Sequence, residues 1–428
     1  MPRYRPEVLP LYTNSVVKVL ASRPEASGSD RWRTVLYYVG ALLLGVLVFR
    51  PALGLTASDW FFFGALVAVL YQVIWERTKV QVSLPRLLVL GVALFAIGGL
   101  ASSLHASHRT QSALIVLRLV YVTIVWFWVG AAILRSREQL LIAASLWTIS
   151  AALSSSAAIF QILWGNVIPG TAVSWGRMPG LTQHVNDLGG LTAIALVPAV
   201  MLATKPNLSR GWRAIHVAVM GLLVAGLILS GSVTGFVSAA VGLGLWILIS
   251  GRRGRVLLAL GVVALVGVAV AGLQLTSHGR SPLQRLEQVT ATNGSEAGTL
   301  ASRITLDEQA IQVVEHNPLI GVGLDAADAR DRIGNFAHNM LLGAWMGAGL
   351  LGILGIVLAL AAVVTVGVVA VRAATDPEER ILAQALAIAV VVFLVFGMAV
   401  PLLYQRYAWM PAALLVALRA QQLRRASP

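Results

Sequence analysis

The sequence predicts an all-α polytopic membrane protein with about twelve transmembrane helices and one large external loop that contains amphipathic helices. Composition is the first reason: 57% of the 428 residues are hydrophobic, only 12% are charged, and the mean hydropathy is +0.80. Apolar windows long enough to cross a bilayer also recur along the chain. Finally, Lys and Arg are concentrated in alternate connections, as expected for a polytopic protein. No soluble domain of normal size fits between the windows.

The first predicted span follows a polar segment, residues 1–34, that carries six Lys or Arg side chains. This long polar lead has no small-residue cleavage site, which predicts a retained first span and a cytoplasmic amino terminus. The predicted spans are 35–49, 60–75, 84–104, 112–134, 139–163, 187–203, 214–230, 232–250, 255–275, 349–371, 380–400 and 404–419.

These spans divide the chain into five segments. A cytoplasmic amino-terminal segment, 1–34, precedes transmembrane helices one to nine in 35–275. The large external loop occupies 276–337, a broken helix and the last three spans occupy 338–419, and a cytoplasmic tail occupies 420–428.

The distribution of positive charge predicts the orientation. Of the 32 Lys and Arg residues, 22 lie in the amino-terminal segment, in every second connection after it and at the carboxyl-terminal end. Because positive charge is retained in the cytoplasm, both termini are expected inside and His338 outside, in a multi-pass protein. The orientation of the spans then explains most of the formal charge of +14, so nucleic acid is not an expected partner.

The external loop, 276–337, holds eight of the 18 acidic residues. Its part at 290–299, TATNGSEAGT, is typical of a flexible segment, whereas 301–315 predicts a helix with one apolar face. Arg303 lies in the middle of that face. It either pairs with Asp307 one turn later and snorkels, or it points at the lipid boundary and a bound headgroup.

Three acidic residues near the end of the loop, Asp325, Asp328 and Asp331, are spaced three apart. This spacing is compatible with an octahedral metal site, but it is also that of a solvated helix face. We favour the solvated face, and we expect no metal or other cofactor in this protein.

His338 stands where the polar loop turns into an uncharged stretch that continues to residue 371. From His338 this stretch would be about 51 Å long as one straight helix, far more than the hydrocarbon core of about 30 Å. Glycines at 343, 347, 349, 352 and 355 supply weak points. We therefore expect a short helix that carries His338, a bend near 347–349 and a full spanning helix, although each glycine alone also suits close helix packing.

A second external segment, 165–187, contains WGRMPGLTQHVNDLGG, whose Pro and Gly content predicts a loop. It supplies Arg177, Asn186 and Asp187, the last at the mouth of the next span. Arg118 lies about seven residues inside the external end of its own span. A charged group there either snorkels outward or has a functional partner.

The residue inventory restricts the chemistry. No Asp or Glu lies in the middle of a predicted span, which argues against an ion-coupled transporter, and no phosphate-binding GxxxxGK[ST] motif is present. The absence of cysteine excludes disulfides and thiolate metal sites. Arginines and a histidine on the external side remain, and these suit an anionic phosphate ligand and a proton transfer.

Two sequence patterns resemble the O-antigen ligase and O-antigen polymerase superfamily. His338-Asn339 is followed by Gly349 and Gly352, and residues 317–323, NPLIGVG, precede it with Gly321 and Gly323. Arg303 matches the arginine ahead of that turn, and Arg177 with 186–188 resembles the earlier external arginine loop. The chain departs from the family at 230–235, SGSVTG, which lacks the usual arginine, and at Met346, where the family has a glutamate.

The resemblance implies glycan transfer on the outer face of the bacterial plasma membrane, from a polyprenyl diphosphate carrier to an acceptor hydroxyl of a glycolipid or glycan. The donor diphosphate leaves already activated, so we expect an inverting, metal-independent reaction among membrane lipids. A polysaccharide polymerase of the same superfamily is one alternative, and a flippase or exporter of polyprenyl-linked glycans is another.

The expected roles follow from the same resemblance. His338 would be the catalytic base or a hydrogen-bond donor that orients the acceptor. Asn339 would position the imidazole or the acceptor, and Asp187 is the alternative base. Arg303, Arg177 and Arg118 would bind the diphosphate. Asn186, Gly321 and Gly323 would position the acceptor or the loops.

Overall fold

A computed structural model of the chain describes residues 28–50, 55–77, 84–165, 167–171, 176–205, 208–250 and 300–426, together with single residues at 80, 82, 173, 260, 261, 263, 264 and 267. Within these residues the regular structure is helical, without strands, which agrees with the predicted all-α class. The predicted span 255–275 and the segment 290–299 lie largely or wholly outside the described residues, as does most of the segment 1–34.

The helices α1 to α13, in chain order, are Gly28–Leu42, Ala57–Ile74, Arg86–His105, Arg109–Ile133, Arg137–Trp164, Val185–Ala203, Arg210–Ser230, Val233–Ser250, Leu300–His316, Ala326–Ile333, Met340–Arg372, Pro377–Gly397 and Arg406–Ala426. Helix α4 contains one π-helical turn, Tyr121–Val125.

Eight of these helices, α2 to α7, α11 and α12, are long and apolar enough to cross a membrane. They correspond to eight of the twelve predicted spans, so the described residues support a polytopic protein but not the full count. Helix α8 is apolar but shorter. Helix α13 is apolar in its first part, has most of its polar residues at its end, and is buried from Arg406 to Gln422 except at Arg419.

The first predicted span is wrong in its bounds. The apolar run 35–49 is not one helix, because α1 ends at Leu42 and the chain then turns. Gly45 N–H donates to Ser150 Oγ at 2.7 Å, and the N–H groups of Leu47 and Val48 donate to Leu181 O. These bonds to other parts of the protein satisfy the backbone where a helix would have been needed in lipid.

Helices α3 and α11 pack backbone to backbone through glycines. A Cβ atom at Gly91 or Gly98 of α3 would overlap backbone atoms of α11, and one at Gly355 of α11 would overlap the backbone of α3. Gly355 therefore serves close packing, which is the alternative reading of the glycines. Gly349 is different, because its φ of 67° breaks the helix there. The predicted bend at 347–349 is confirmed.

The charged residues separate to the two ends of the bundle. At one end, Arg406 bonds Asp59 and Arg303 bonds the carbonyl of Ala399. At the other end, Arg137 pairs with Asp376 and Lys205 with Glu378. This separation agrees with the two groups predicted from the charge distribution. Which end faces the cytoplasm stays a prediction.

Candidate active site

Helix α9 brings Arg303 against the start of α8. Its Nη1 donates to Thr234 Oγ1 at 3.0 Å and to the carbonyl of Ala399 at 3.3 Å. The side chain is therefore directed into the protein and not outward to the lipid boundary. The predicted helix 301–315 is confirmed, since α9 spans Leu300–His316.

One turn after Arg303, Asp307 contacts the residue expected to be the base. Asp307 Oδ1 accepts the backbone N–H of His338 at 3.1 Å, a bond between residues 31 positions apart. The sequence did not predict this contact, because Asp307 and His338 are far apart along the chain. The i,i+4 spacing of Arg303 and Asp307 could have suggested it, because both side chains then lie on one face of α9.

The imidazole of His338 is oriented by Phe336. His338 Nδ1 lies 3.0 Å from the carbonyl oxygen of Phe336, and the two rings stack with centroids 5.3 Å apart. A carbonyl oxygen only accepts hydrogen bonds, so Nδ1 carries the proton in the neutral ring. The lone pair then lies on Nε2, and that atom can act as the base.

Burial decides the protonation of this pair. Partial burial of the ring lowers the pKa of His338, an effect that the Phe336 carbonyl opposes and the positive charge of Arg303 strengthens. Burial also raises the pKa of Asp307, against the effects of the His338 N–H and of Arg303. The lowered pKa keeps the imidazole neutral, and so available as a base, at a pH lower than a free imidazole would allow.

His338 does not lie on a helix, contrary to the expectation, but in the turn before α11. Asn339 is the N-cap of that helix: its Oδ1 accepts the N–H groups of Leu341 and Leu342 at 2.9 and 3.1 Å. Because Asn339 caps the amino-terminal end of α11, the helix begins after His338, and the imidazole is carried by non-helical backbone. The contacts of Asn339 therefore fix the helix start that positions His338.

The turn at 317–323 fills the gap made by the break in α11. The N–H groups of Val322 and Gly323 donate to the carbonyls of Met346 and Gly347, and Leu350 N–H donates to Leu319 O. These are backbone groups that a broken helix leaves without partners.

Gly321 and Gly323 have φ values of 80° and 113°, which favour glycine. A Cβ atom at Gly321 would overlap the backbone of Gly347 and Gly349. The two motifs of the sequence are therefore one structural unit.

Arg177 organises the segment 165–187, which was predicted to be external. It is 6% exposed, its Nε donates to the carbonyl of Ser230 at 2.6 Å, and its Nη2 donates to Asn186 Oδ1 at 2.6 Å. Asn186 N–H in turn donates to Nδ1 of His184, the N-cap of α6. Arg177 thus joins the start of α6 to the end of α7, and its observed contacts are structural.

The segment 230–235, from the end of α7 to the first turn of α8, lies between two arginines. Arg177 bonds its first residue, Ser230, and Arg303 bonds Thr234 in the first turn of α8. Ser232 Oγ accepts the N–H of Gly235, as an N-cap does. This is the SGSVTG segment, which lacks the arginine usual in the family. The structure places Arg303 and Arg177 on either side of it.

Asp187, the alternative base, is buried in the first turn of α6, where its Oδ1 accepts Tyr407 Oη–H at 3.2 Å. Arg50 also acts on it electrostatically. Arg118 is surrounded by different groups from those near Arg303, since its charged and titratable neighbours are Arg406, Asp59, Tyr404 and Asp325. The predicted site residues therefore fall into two groups at one end of the bundle.

The expectation of a solvated acidic face holds for Asp331, which is exposed, and is wrong for Asp328. Asp328 is 2% exposed and accepts the backbone N–H of His108 and Ser112 Oγ–H at 2.8 and 2.6 Å. Asp325 caps α10 through the N–H of Ala327. These bonds fasten the end of the segment 276–337 to the start of α4. Across the described residues, no three His, Asp or Glu side chains are grouped as metal ligands.

The fold and this end of the bundle define the class: an all-helical, multi-pass membrane protein with cationic and imidazole groups gathered at one end. The O-antigen ligase family model matches residues 218–357. This match supports an O-antigen ligase-related family for the chain, as the motifs had suggested. No curated protein matches the sequence.

The matched range runs from α7 through α8, α9 and α10 to the first part of α11. It therefore includes Arg303, Asp307, His338 and the glycine turn, whereas Arg118, Arg177 and Asp187 lie before it. The match and the membrane-helical architecture together support a membrane glycosyltransferase-like role.

Proposed function

We propose that this protein transfers a glycan from a polyprenyl diphosphate carrier to an acceptor hydroxyl on the outer face of the bacterial plasma membrane. One observation carries the proposal. Helix α9 holds Arg303 and Asp307 one turn apart, and Asp307 bonds the backbone of His338, whose Nε2 carries the lone pair. A cation for the leaving group and a base for the acceptor are therefore neighbours.

Arg303 and the first turn of α8 would bind the donor diphosphate. A guanidinium matches phosphate geometry with two parallel hydrogen bonds, and the amides at a helix N-terminus favour an anion. Arg177 supports this site by holding Ser230 and Asn186, so we assign it a positioning role. This assignment refines the expectation that Arg177 binds the diphosphate directly.

The reaction would be a single displacement. The acceptor oxygen attacks the anomeric carbon as its proton passes to His338 Nε2, and the bond from that carbon to the diphosphate oxygen breaks. The diphosphate leaves with the electron pair, which Arg303 stabilises, and the anomeric configuration inverts. The imidazolium then returns its proton to water. Asn339 acts by fixing the helix start beside His338.

The leaving group supplies the driving force, so neither nucleotide nor metal is required in this scheme. We expect transfer to continue in the presence of a chelator such as EDTA. Loss of transfer on chelation, restored by a divalent cation, would contradict that part of the proposal.

A test in detergent separates transfer from transport, because transport has no meaning without a sealed membrane. Purified protein is incubated with lipid-linked glycan and an acceptor, and the products are separated on a gel. A shifted acceptor band that is absent with His338→Ala supports the transferase. Headgroup binding without any product would favour the flippase or exporter. A product that lengthens the donor glycan itself would favour the polymerase.

A further inference from the structure

A second pair of cations lies at the same end of the bundle, built on α4 and α13. Arg406, the first residue of α13, is only 4% exposed. Its Nε donates to both carboxylate oxygens of Asp59, at 2.8 and 2.6 Å. Its two terminal nitrogens, Nη1 and Nη2, make no hydrogen bond to any residue that the structure describes. A buried arginine therefore keeps its outer donors available.

Asp59 also fixes the part of α4 that carries the second cation. Its carbonyl oxygen accepts Tyr121 Oη–H at 2.7 Å, and Tyr121 opens the π-helical turn of α4. Such turns are frequent at functional sites. Arg118 lies three residues earlier, on the same face of the helix as Tyr121. Arg406 and Asp59 both lie near enough to Arg118 to act on its charge, so these three side chains belong to one cluster.

The side chain of Arg118 makes no hydrogen bond or ion pair within the described part of the chain. It lies nine residues after the start of α4, which is about 14 Å along the helix. A charged side chain at that depth is costly unless it is paired. Asp59 can offset only one of the two guanidinium charges, so the three side chains together keep one positive charge in excess.

We propose that Arg118 and Arg406 form a second anion-binding site, which takes a phosphate or carboxylate group of a membrane-embedded molecule and is separate from Arg303 and His338. Two guanidinium groups offer planar, paired donors that match such a group. The assignment of this anion to the acceptor rests on the proposed function, whereas the anion-binding site itself does not. The alternative sources are the donor diphosphate and an ordinary anionic lipid.

Binding can be measured without catalysis. Full-length protein in a neutral detergent is titrated with phosphatidic acid in mixed micelles, with phosphatidylcholine as the uncharged reference, and thermal unfolding is followed. We expect phosphatidic acid to stabilise the wild type. Arg118→Gln should bind it about ten- to a hundredfold more weakly, because a charge-assisted hydrogen bond is lost. Arg109→Gln, at the exposed start of α4, is the matched control and should bind as the wild type does.

Wild-type affinity in Arg118→Gln would overturn the proposal. The unfolding temperature without lipid gives a second criterion. Removal of one of two repelling charges should leave Arg118→Gln as stable as the wild type or more stable. A marked loss of stability would show that Arg118 is a structural residue and would also overturn the proposal.

Arg303→Gln tests whether the two sites are separate, because it should keep full affinity for phosphatidic acid. An equal loss in Arg303→Gln and Arg118→Gln would overturn separateness. In a transfer assay, Arg118→Gln should raise the KM for the acceptor and leave the KM for the donor unchanged. A raised donor KM would instead overturn the acceptor assignment. Failure of the wild type to transfer any glycan would reject the proposed function but not the binding result.

Discussion

The two ends of the helix bundle handle charge in different ways. At the end formed by the starts of α5 and α12, the carboxylates are paired with cations of the chain: Asp376 and Glu378 with Arg137, and Glu379 with Arg425. At the opposite end, Arg118 and the terminal nitrogens of Arg406 have no such partner among the described residues. The bond of His338 to Phe336 uses Nδ1, so it leaves Nε2 available for a proton.

The difference separates charges that hold the fold from charges prepared for a ligand. Paired charges satisfy one another, so their removal costs stability. A cation held near another cation is satisfied only when an anion arrives, so its removal costs binding. The following predictions test this division, in order of decreasing effect on activity.

The largest effect is expected for His338→Ala, which should lower the transfer rate by about 10²- to 10⁴-fold, the usual contribution of general-base catalysis. The variant should still insert in the membrane and bind the donor lipid. Transfer by purified His338→Ala is measured beside Asp187→Ala. Near-normal transfer by His338→Ala, with loss in Asp187→Ala, would assign the base to Asp187.

Arg303→Ala should reduce use of the donor by about ten- to a hundredfold, since a charge-assisted hydrogen bond contributes roughly 1.5–3 kcal/mol. Arg303→Lys keeps the charge but loses the paired donors, so it should retain only part of the activity. Donor KM and kcat are measured for both variants. Full turnover by a normally folded Arg303→Ala would mean that the residue only links α9 to Thr234 and Ala399.

Asp307→Asn should change the pH profile more than the maximal rate. The carboxamide oxygen can still accept the His338 N–H, but the negative charge that favours the imidazolium is lost. The pKa of His338 should fall further, and the acid limb of the activity profile should move to lower pH. Activity is measured from pH 5 to 8. Complete loss of transfer at every pH would instead identify Asp307 as the base.

Glu379→Gln, at the paired end, should leave kcat and both KM values unchanged. Glu379 is buried and bonds Gln422 and Arg425, so its replacement should lower the free energy of unfolding by about 1.5–3 kcal/mol. Thermal unfolding and transfer are measured on the same preparation. A changed KM with unchanged stability would contradict the division between the two ends.

Local sequence patterns predicted the break in α11 and the amphipathic helix α9. The uncharged stretch after His338 is longer than the bilayer is thick, so a break was required, and Gly349 provides it with a φ of 67°. The apolar periodicity of 301–315 predicted α9 because an amphipathic face repeats with the helix turn. The span 35–49 was predicted wrongly because hydropathy depends on apolar length and not on hydrogen-bond partners. The N–H groups of Gly45 and Leu47 donate to Ser150 and Leu181, so this part of the chain does not need to be helical.

The sequence by itself therefore determined the membrane-spanning class, the separation of charge to two ends, the break in α11 and the identities of Arg303 and His338 as candidates. Each follows from a property of neighbouring residues: apolar length, charge count, glycine position or motif spacing. Only the tertiary structure decided that Asp307 bonds His338, that Arg177 bonds Ser230, and that Arg406 bonds Asp59 across 347 positions. A hydrogen bond between distant segments depends on how helices pack, and one sequence carries no local periodicity that records it.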